Sequence, residues 1–190
     1  MNLTNLFITS LLTENIVLTR FLGLCPFFGN SSKEKNAAAM GICVTLVTTV
    51  SSIISYFINK YILIPSKTEY LSTLMFILVI ASLVQILVLI MKSKFKSMYK
   101  NLGIYLTLIT TNCAVLGVVL LGINNSYNLL ETLIYSLGSS LGFMMVIYVF
   151  STIRERLDNE SIPKSFRGIP IAFITASIMA LIFERFTGIW

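Results

Sequence analysis

Six long apolar stretches, separated by short polar connections, govern what this chain can become. They fall near 3–24, 37–58, 70–91, 101–121, 129–153 and 169–187, and each has roughly the 17–25 residues that carry a helix across about 30 Å of hydrocarbon. With 56% hydrophobic and 12% charged side chains in 190 residues, one water-soluble core has no room for so much apolar surface. A helix satisfies its backbone polar groups within its own segment, as lipid requires of a single apolar span. The expectation is therefore an all-α membrane protein of six transmembrane helices, with residues 1–190 forming a single transmembrane domain and no soluble domain appended. The first stretch has no basic leader and no small-residue cleavage pattern, so it is read as a retained helix.

The net charge of +6 would point to nucleic acid in a soluble protein. Here it reports loop asymmetry, and no nucleic-acid partner is expected. Loops one, three and five carry Lys33 and Lys35, then Lys92, Lys94, Lys96 and Lys100, then Arg154, Arg156, Lys164 and Arg167. The opposite side has Lys60, Lys67 and Arg185. The positive-inside rule places the three basic loops in the cytoplasm and both termini outside.

The two halves share a pattern. "TENIVL" from Thr13 and "TTNCAVL" from Thr110 align Asn15 with Asn112 at an offset of 97 residues, and "FILVIAS" from Phe76 resembles "AFITAS" from Ala172. Three spans per half force the second half to enter from the other side, so the expected repeats, about 1–95 and 96–190, are inverted. Chance similarity between apolar helices is the plain alternative. Asn is costly in hydrocarbon unless partnered, and Thr bonds freed carbonyls, so such clusters accompany interrupted helices. Segments one and four are accordingly expected to be broken or half-length.

Three cysteines are present. An odd number excludes a fully paired disulfide framework, and a lone membrane cysteine is most often a small hydrophobe. Cys43, in "GICVTLV", fits that description. Cys25 precedes Pro26 and lies between Gly23 and Gly29, where a helix does not easily continue. Cys113 follows Thr110, Thr111 and Asn112. Each sits at an expected break, where free backbone amides stabilise a thiolate or cluster. A two-iron, two-sulfur cluster takes four thiolates and zinc four ligands, and the chain has no His. Any metal site built on this pair must borrow ligands, most simply two cysteines from a partner protein.

"FLGLCPFFG" followed by "LITTNCAVLG" resembles the A subunit of the Rnf complex, a ferredoxin:NAD⁺ oxidoreductase of bacterial membranes, and is similar to the E subunit of the Na⁺-translocating NADH:quinone reductase. The likeness covers nearly the whole chain, including "KNLGIYLTLITTNC", "IRERL" and "FRG". The resemblance implies a multi-pass subunit of the bacterial inner membrane, without catalysis of its own, inside a multisubunit ion-translocating oxidoreductase. It would pair with a homologous, oppositely inserted E-type subunit, the two sharing one two-iron, two-sulfur cluster. Carried over by motif, Cys25 and Cys113 are this chain's two ligands, and the partner supplies the other two. Gly23, Pro26, Asn15, Thr110, Thr111 and Asn112 would surround the cluster, and other subunits would carry flavin and iron-sulfur cofactors. Electrons would cross the membrane through the shared cluster, coupled to Na⁺ or H⁺ translocation.

Glu14 departs from the Asn that the resemblance leads one to expect there. As an ionisable group inside a span it is a candidate for ion coupling. Arg20 is poorly spaced to pair with it and is expected to snorkel toward the interface. Sharing a cluster also poses a geometric demand, because an unbroken first helix would leave Cys25 near the cytoplasmic surface while Cys113 lies roughly 20 Å inside. The expectation is that Cys25-Pro26 ends a half-helix within the bundle. A secondary transporter or channel with a midplane polar site and no redox cofactor is the competing function. A structural scaffold is the third.

Overall fold

The computed structural model describes residues 3–29, 34–64, 72–94, 112–158, 163 and 166–187. All described elements are helical. They are α1 (Leu3–Ile8), continued by a π-helical turn (Thr9–Thr13), then α2 (Leu24–Gly29), α3 (Glu34–Ile58, continued as a π-turn Asn59–Leu63), α4 (Ser72–Lys94), α5 (Cys113–Asn124), α6 (Leu129–Asp158) and α7 (Ile169–Thr187). Among the described residues two helices are long and apolar enough to cross a membrane, Asn36–Leu63 and Leu129–Leu157. At 1.5 Å per residue each is about 42 Å long, more than the hydrocarbon thickness.

The long pair, α3 and α6, forms the spine of the bundle. They close tightly because Gly41 of α3 leaves room for Met144 of α6, whose Cγ would lie 2.6 Å from a Cβ at that position. The other side of α6 carries Gly138 and Gly142, a small-xxx-small step on which the backbone of the first segment lies. A Cβ at Gly142 would come 2.7 Å from the Leu11 carbonyl, and one at Gly138 would overlap the Ser10 hydroxyl. Without a water-driven force between helices in lipid, such backbone approach supplies the dispersion contact that holds them together.

Outward faces are apolar: Ile42, Leu46 and Val50 on α3, Leu74, Ile77 and Leu78 on α4, and Ile174, Ile178 and Leu181 on α7 are exposed. Several hydroxyls within the helices bond their own backbones, as in Thr45 to Gly41, Thr48 to Val44, Ser82 to Leu78 and Thr175 to Ile171, which satisfies a donor without water. The buried hydroxyls of Ser51, Ser52, Ser55 and Ser151, by contrast, have no partner among the described residues.

Segment one is interrupted as expected, with no regular helix from Glu14 to Gly23. The expected role of Cys25-Pro26 is corrected, because these residues open α2 rather than end a half-helix. Proline is accepted there, since an N–H in the first turn has no intrahelical carbonyl to meet. In segment four the helix begins at Cys113, and the stretch before Asn112, with Thr110 and Thr111, lies outside the described residues.

Candidate metal centre at two helix breaks

The two asparagines that the sequence aligns adopt the same local geometry. Asn15 and Asn112 are 1% and 3% exposed. The Val17 amide donates to Asn15 Oδ1 at 3.2 Å, and the Ala114 amide donates to Asn112 Oδ1 at 3.0 Å. Four residues on, the Thr19 amide donates to the Asn15 carbonyl at 2.9 Å and the Leu116 amide to the Asn112 carbonyl at 3.5 Å. Each side chain thus caps the chain as it leaves a break, offering an acceptor to an amide that has lost its helical partner.

After Asn112 the chain winds at once into α5, with Cys113 as its first residue. After Asn15 it passes through turns instead, with Phe21 at φ 55° and Gly23 at φ 83°. This left-handed region is open to glycine and costly for other residues. Gly23 also sits where no side chain fits: a Cβ there would be 2.9 Å from Ala114 Cβ, 3.1 Å from Phe143 Cε2 and 3.3 Å from Asn112 Oδ1. The backbone amide of Gly23 donates to Cys113 Sγ at 3.0 Å. That contact ties the first break to the second, 90 positions apart, two residues before Cys25.

Three features suit these residues to a thiolate-bound metal group. Cys113 stands at the amino end of a 12-residue helix, where partial positive charge favours an anionic sulfur. A backbone N–H already points at that sulfur. Asn112 Nδ2 is buried with no hydrogen-bond partner, a donor directly beside Cys113 that needs an acceptor. Cys25 is exposed and unbridged, and Cys43 is buried within α3. Among the described residues no three metal-ligating side chains come together.

Glu14 stands at the first break. Its amide donates to the Thr9 carbonyl at 2.7 Å, closing the π-turn, and its side chain is half-buried. Arg20 is exposed. Two residues not expected near the site from the sequence contact the elements that carry it. Phe143 packs against Gly23, and Arg154 Nη1 donates to the Phe28 carbonyl at 2.9 Å. Phe143 lies one residue beyond the Gly138/Gly142 step, which was the available sign that this part of α6 receives another backbone closely.

Residues 3–190 match the family described as Rnf-Nqr subunit, membrane protein. The chain is 49% identical over 184 residues to the A subunit of the ion-translocating oxidoreductase complex of Actinobacillus pleuropneumoniae serotype 5b, covering 97% of this chain and 95% of that one. The protein of the same description from Shewanella sediminis is also 49% identical over 184 residues, covering 97% and 96%. The A subunit of the Na⁺-translocating ferredoxin:NAD⁺ oxidoreductase complex of Acetobacterium woodii is 47% identical over 188 residues, covering 99% and 98%.

Proposed function

The chain belongs to the Rnf-Nqr family of membrane subunits, and on that premise we propose that it is an electron-relay subunit of an ion-translocating ferredoxin:NAD⁺ oxidoreductase. With a homologous, oppositely inserted partner it holds a two-iron, two-sulfur cluster, to which this chain contributes Cys25 and Cys113 and the partner two further thiolates. The observation that carries the reading is the Gly23 amide on Cys113 Sγ, since it draws the helix bearing one cysteine to the start of the helix bearing the other.

When bound, the cluster supplies a one-electron carrier inside the membrane. Carriers confined to opposite surfaces are about 30 Å apart, too far for efficient single-step transfer. This chain's own residues do the positioning. Asn112 fixes the start of α5 beneath Cys113, Gly23 directs an N–H to sulfur, and the unpartnered Asn112 Nδ2 provides a second donor at the same end. Donors to sulfur favour the more reduced, more negative state and so raise the potential. Glu14, half-buried at the first break, is the candidate for coupling to Na⁺ or H⁺. The two Asn turns support two inverted three-helix repeats within six spans, and the Lys and Arg bias supports both termini outside the bacterial inner membrane with the basic loops in the cytoplasm.

The test is spectroscopic. The chain is purified with its partner subunits, and absorption and electron paramagnetic resonance spectra are recorded for wild type, Cys25→Ser, Cys113→Ser and Cys43→Ser. A reducible two-iron signal lost in the first two variants and kept in the third supports the assignment. A spectrum indifferent to Cys25 and Cys113 removes it and leaves the transporter reading.

A further inference from the structure

The helix that carries Cys25 is too short to hold itself in place. α2 has six residues, well below the roughly 12–15 at which an isolated helix becomes even marginally stable, and its last carbonyls have no partners within the helix. Its position is therefore set from outside. Phe27, fully buried, stacks on Phe150 of α6 with ring centroids 4.2 Å apart. Phe28 meets Phe150 edge-on at 5.8 Å and stacks on Phe173 of α7 at 4.4 Å. Arg154 Nη1 donates to the Phe28 carbonyl at 2.9 Å.

Phe150 and Arg154 are four residues apart on α6, hence on one face and one turn from each other. The rings fix how far α2 stands from α6, but stacked rings slide over one another at little cost. The charge-assisted N–H···O bond fixes α2 along its axis, because a guanidinium bond to one carbonyl is short and directional. It also places a positive charge at the end of α2 where partial negative charge collects. Upstream, Gly23 is held by Cys113 Sγ. Cys25 thus lies on a segment pinned at both ends, by a sulfur at one and a guanidinium at the other.

We propose that Arg154 is a positioning residue for the Cys25 sulfur: by bonding the Phe28 carbonyl it sets the axial position of α2 and with it the geometry of the metal centre. The inference rests on the cluster reading above. Arg154 does not touch the metal group and acts through α2.

The experiment compares Arg154→Gln, Arg154→Lys and Arg156→Gln in the intact complex with its partner subunits. Arg156 is an exposed neighbour of the same charge and controls for bulk electrostatics. The readouts are cluster content, resonance line shape, midpoint potential and the rate at which a chelator strips the iron. Arg154→Gln is expected to retain a cluster that is lost about tenfold faster, with an altered line shape and a more negative midpoint. Arg154→Lys keeps the charge but not the planar fork and is expected to fall between. Arg156→Gln should match wild type. A wild-type stripping rate and line shape in Arg154→Gln overturns the proposal, as do equal shifts in Arg154→Gln and Arg156→Gln. If the Gln complex fails to assemble, the Lys variant decides, with several-fold faster loss supporting the proposal and a wild-type rate overturning it. A wild-type complex with no reducible iron signal would bring down the cluster reading itself, a failure distinct from an Arg154 that has no effect.

Discussion

Replacing Gly23 by Ala tests the join between the two breaks most directly. The substitution meets two separate obstacles. At φ 83° an alanine carries the left-handed penalty of about 1–2 kcal/mol. Its methyl would also lie 2.9 Å from Ala114 Cβ and 3.1 Å from Phe143 Cε2, and forcing a carbon into such a space costs about 1–3 kcal/mol. The sum is about 2–5 kcal/mol. Two other glycines separate the parts. Gly168 has φ 92° with nothing within 4 Å of an added Cβ, so Gly168→Ala should show the backbone penalty alone, about 1–2 kcal/mol. Gly142 is in the helical interior of α6, with the Leu11 carbonyl 2.7 Å from its added Cβ, so Gly142→Ala should show the steric cost of about 1–3 kcal/mol less the roughly 1 kcal/mol that Ala gains over Gly within a helix. The assay is denaturant unfolding of the purified complex in detergent, with the iron signal followed in parallel. Gly23→Ala should be the least stable of the three or equal to the worst, and it alone should disturb the spectrum, because pushing Gly23 away removes the amide from Cys113 Sγ. A Gly23→Ala complex as stable as Gly168→Ala, with an unaltered spectrum, refutes the claim that the two breaks meet at this residue.

Asn112→Ala removes the acceptor for the Ala114 amide and should destabilise by about 1 kcal/mol in the same unfolding assay; no loss would mean that the cap contributes nothing. Phe150→Ala withdraws the ring under Phe27 and Phe28 and should cost about 2–3 kcal/mol, below the usual 3–5 for a water-soluble core because lipid, unlike water, does not penalise exposed apolar area. It should also loosen the iron, and a stable, fully loaded Phe150→Ala complex would show that α2 is held by other contacts. Glu14→Gln is expected to leave the iron spectrum intact while lowering the number of ions taken up per electron in proteoliposomes. An unchanged ratio excludes Glu14 from coupling.

Asn15 and Asn112 were legible as breaks because an amide side chain within an apolar run is costly wherever the backbone does not use it, and in both places the backbone does. The long helices were legible for a simpler reason. Length and apolar content alone locate α6 and α7, and the start of each agrees with the residues read from sequence. Pro26 misled, since proline is excluded from helix interiors and welcome in a first turn, and the letters around Cys25 do not say which applies. Arg154 went unnoticed as a contact because its acceptor is a backbone carbonyl, which leaves no mark in the sequence. The same holds for the Gly23 amide. Glycine flanking a cysteine announces a bend, but which sulfur the amide meets is decided by how α5 and α6 pack around it.

The brevity of the first helix bears on how the protein is made. From Leu3 to Thr13 the chain rises only about 16 Å, half the depth of the bilayer, and it ends at Glu14 and Asn15. The apolar stretch that a translocon partitions nevertheless runs to about residue 24, long enough to enter lipid, so the break belongs to the folded bundle rather than to the nascent segment. In the folded protein this stretch rests on the Gly138 and Gly142 face of α6, which is synthesised more than a hundred residues later. The contact that seats the broken first span is therefore completed only after α6 has been made.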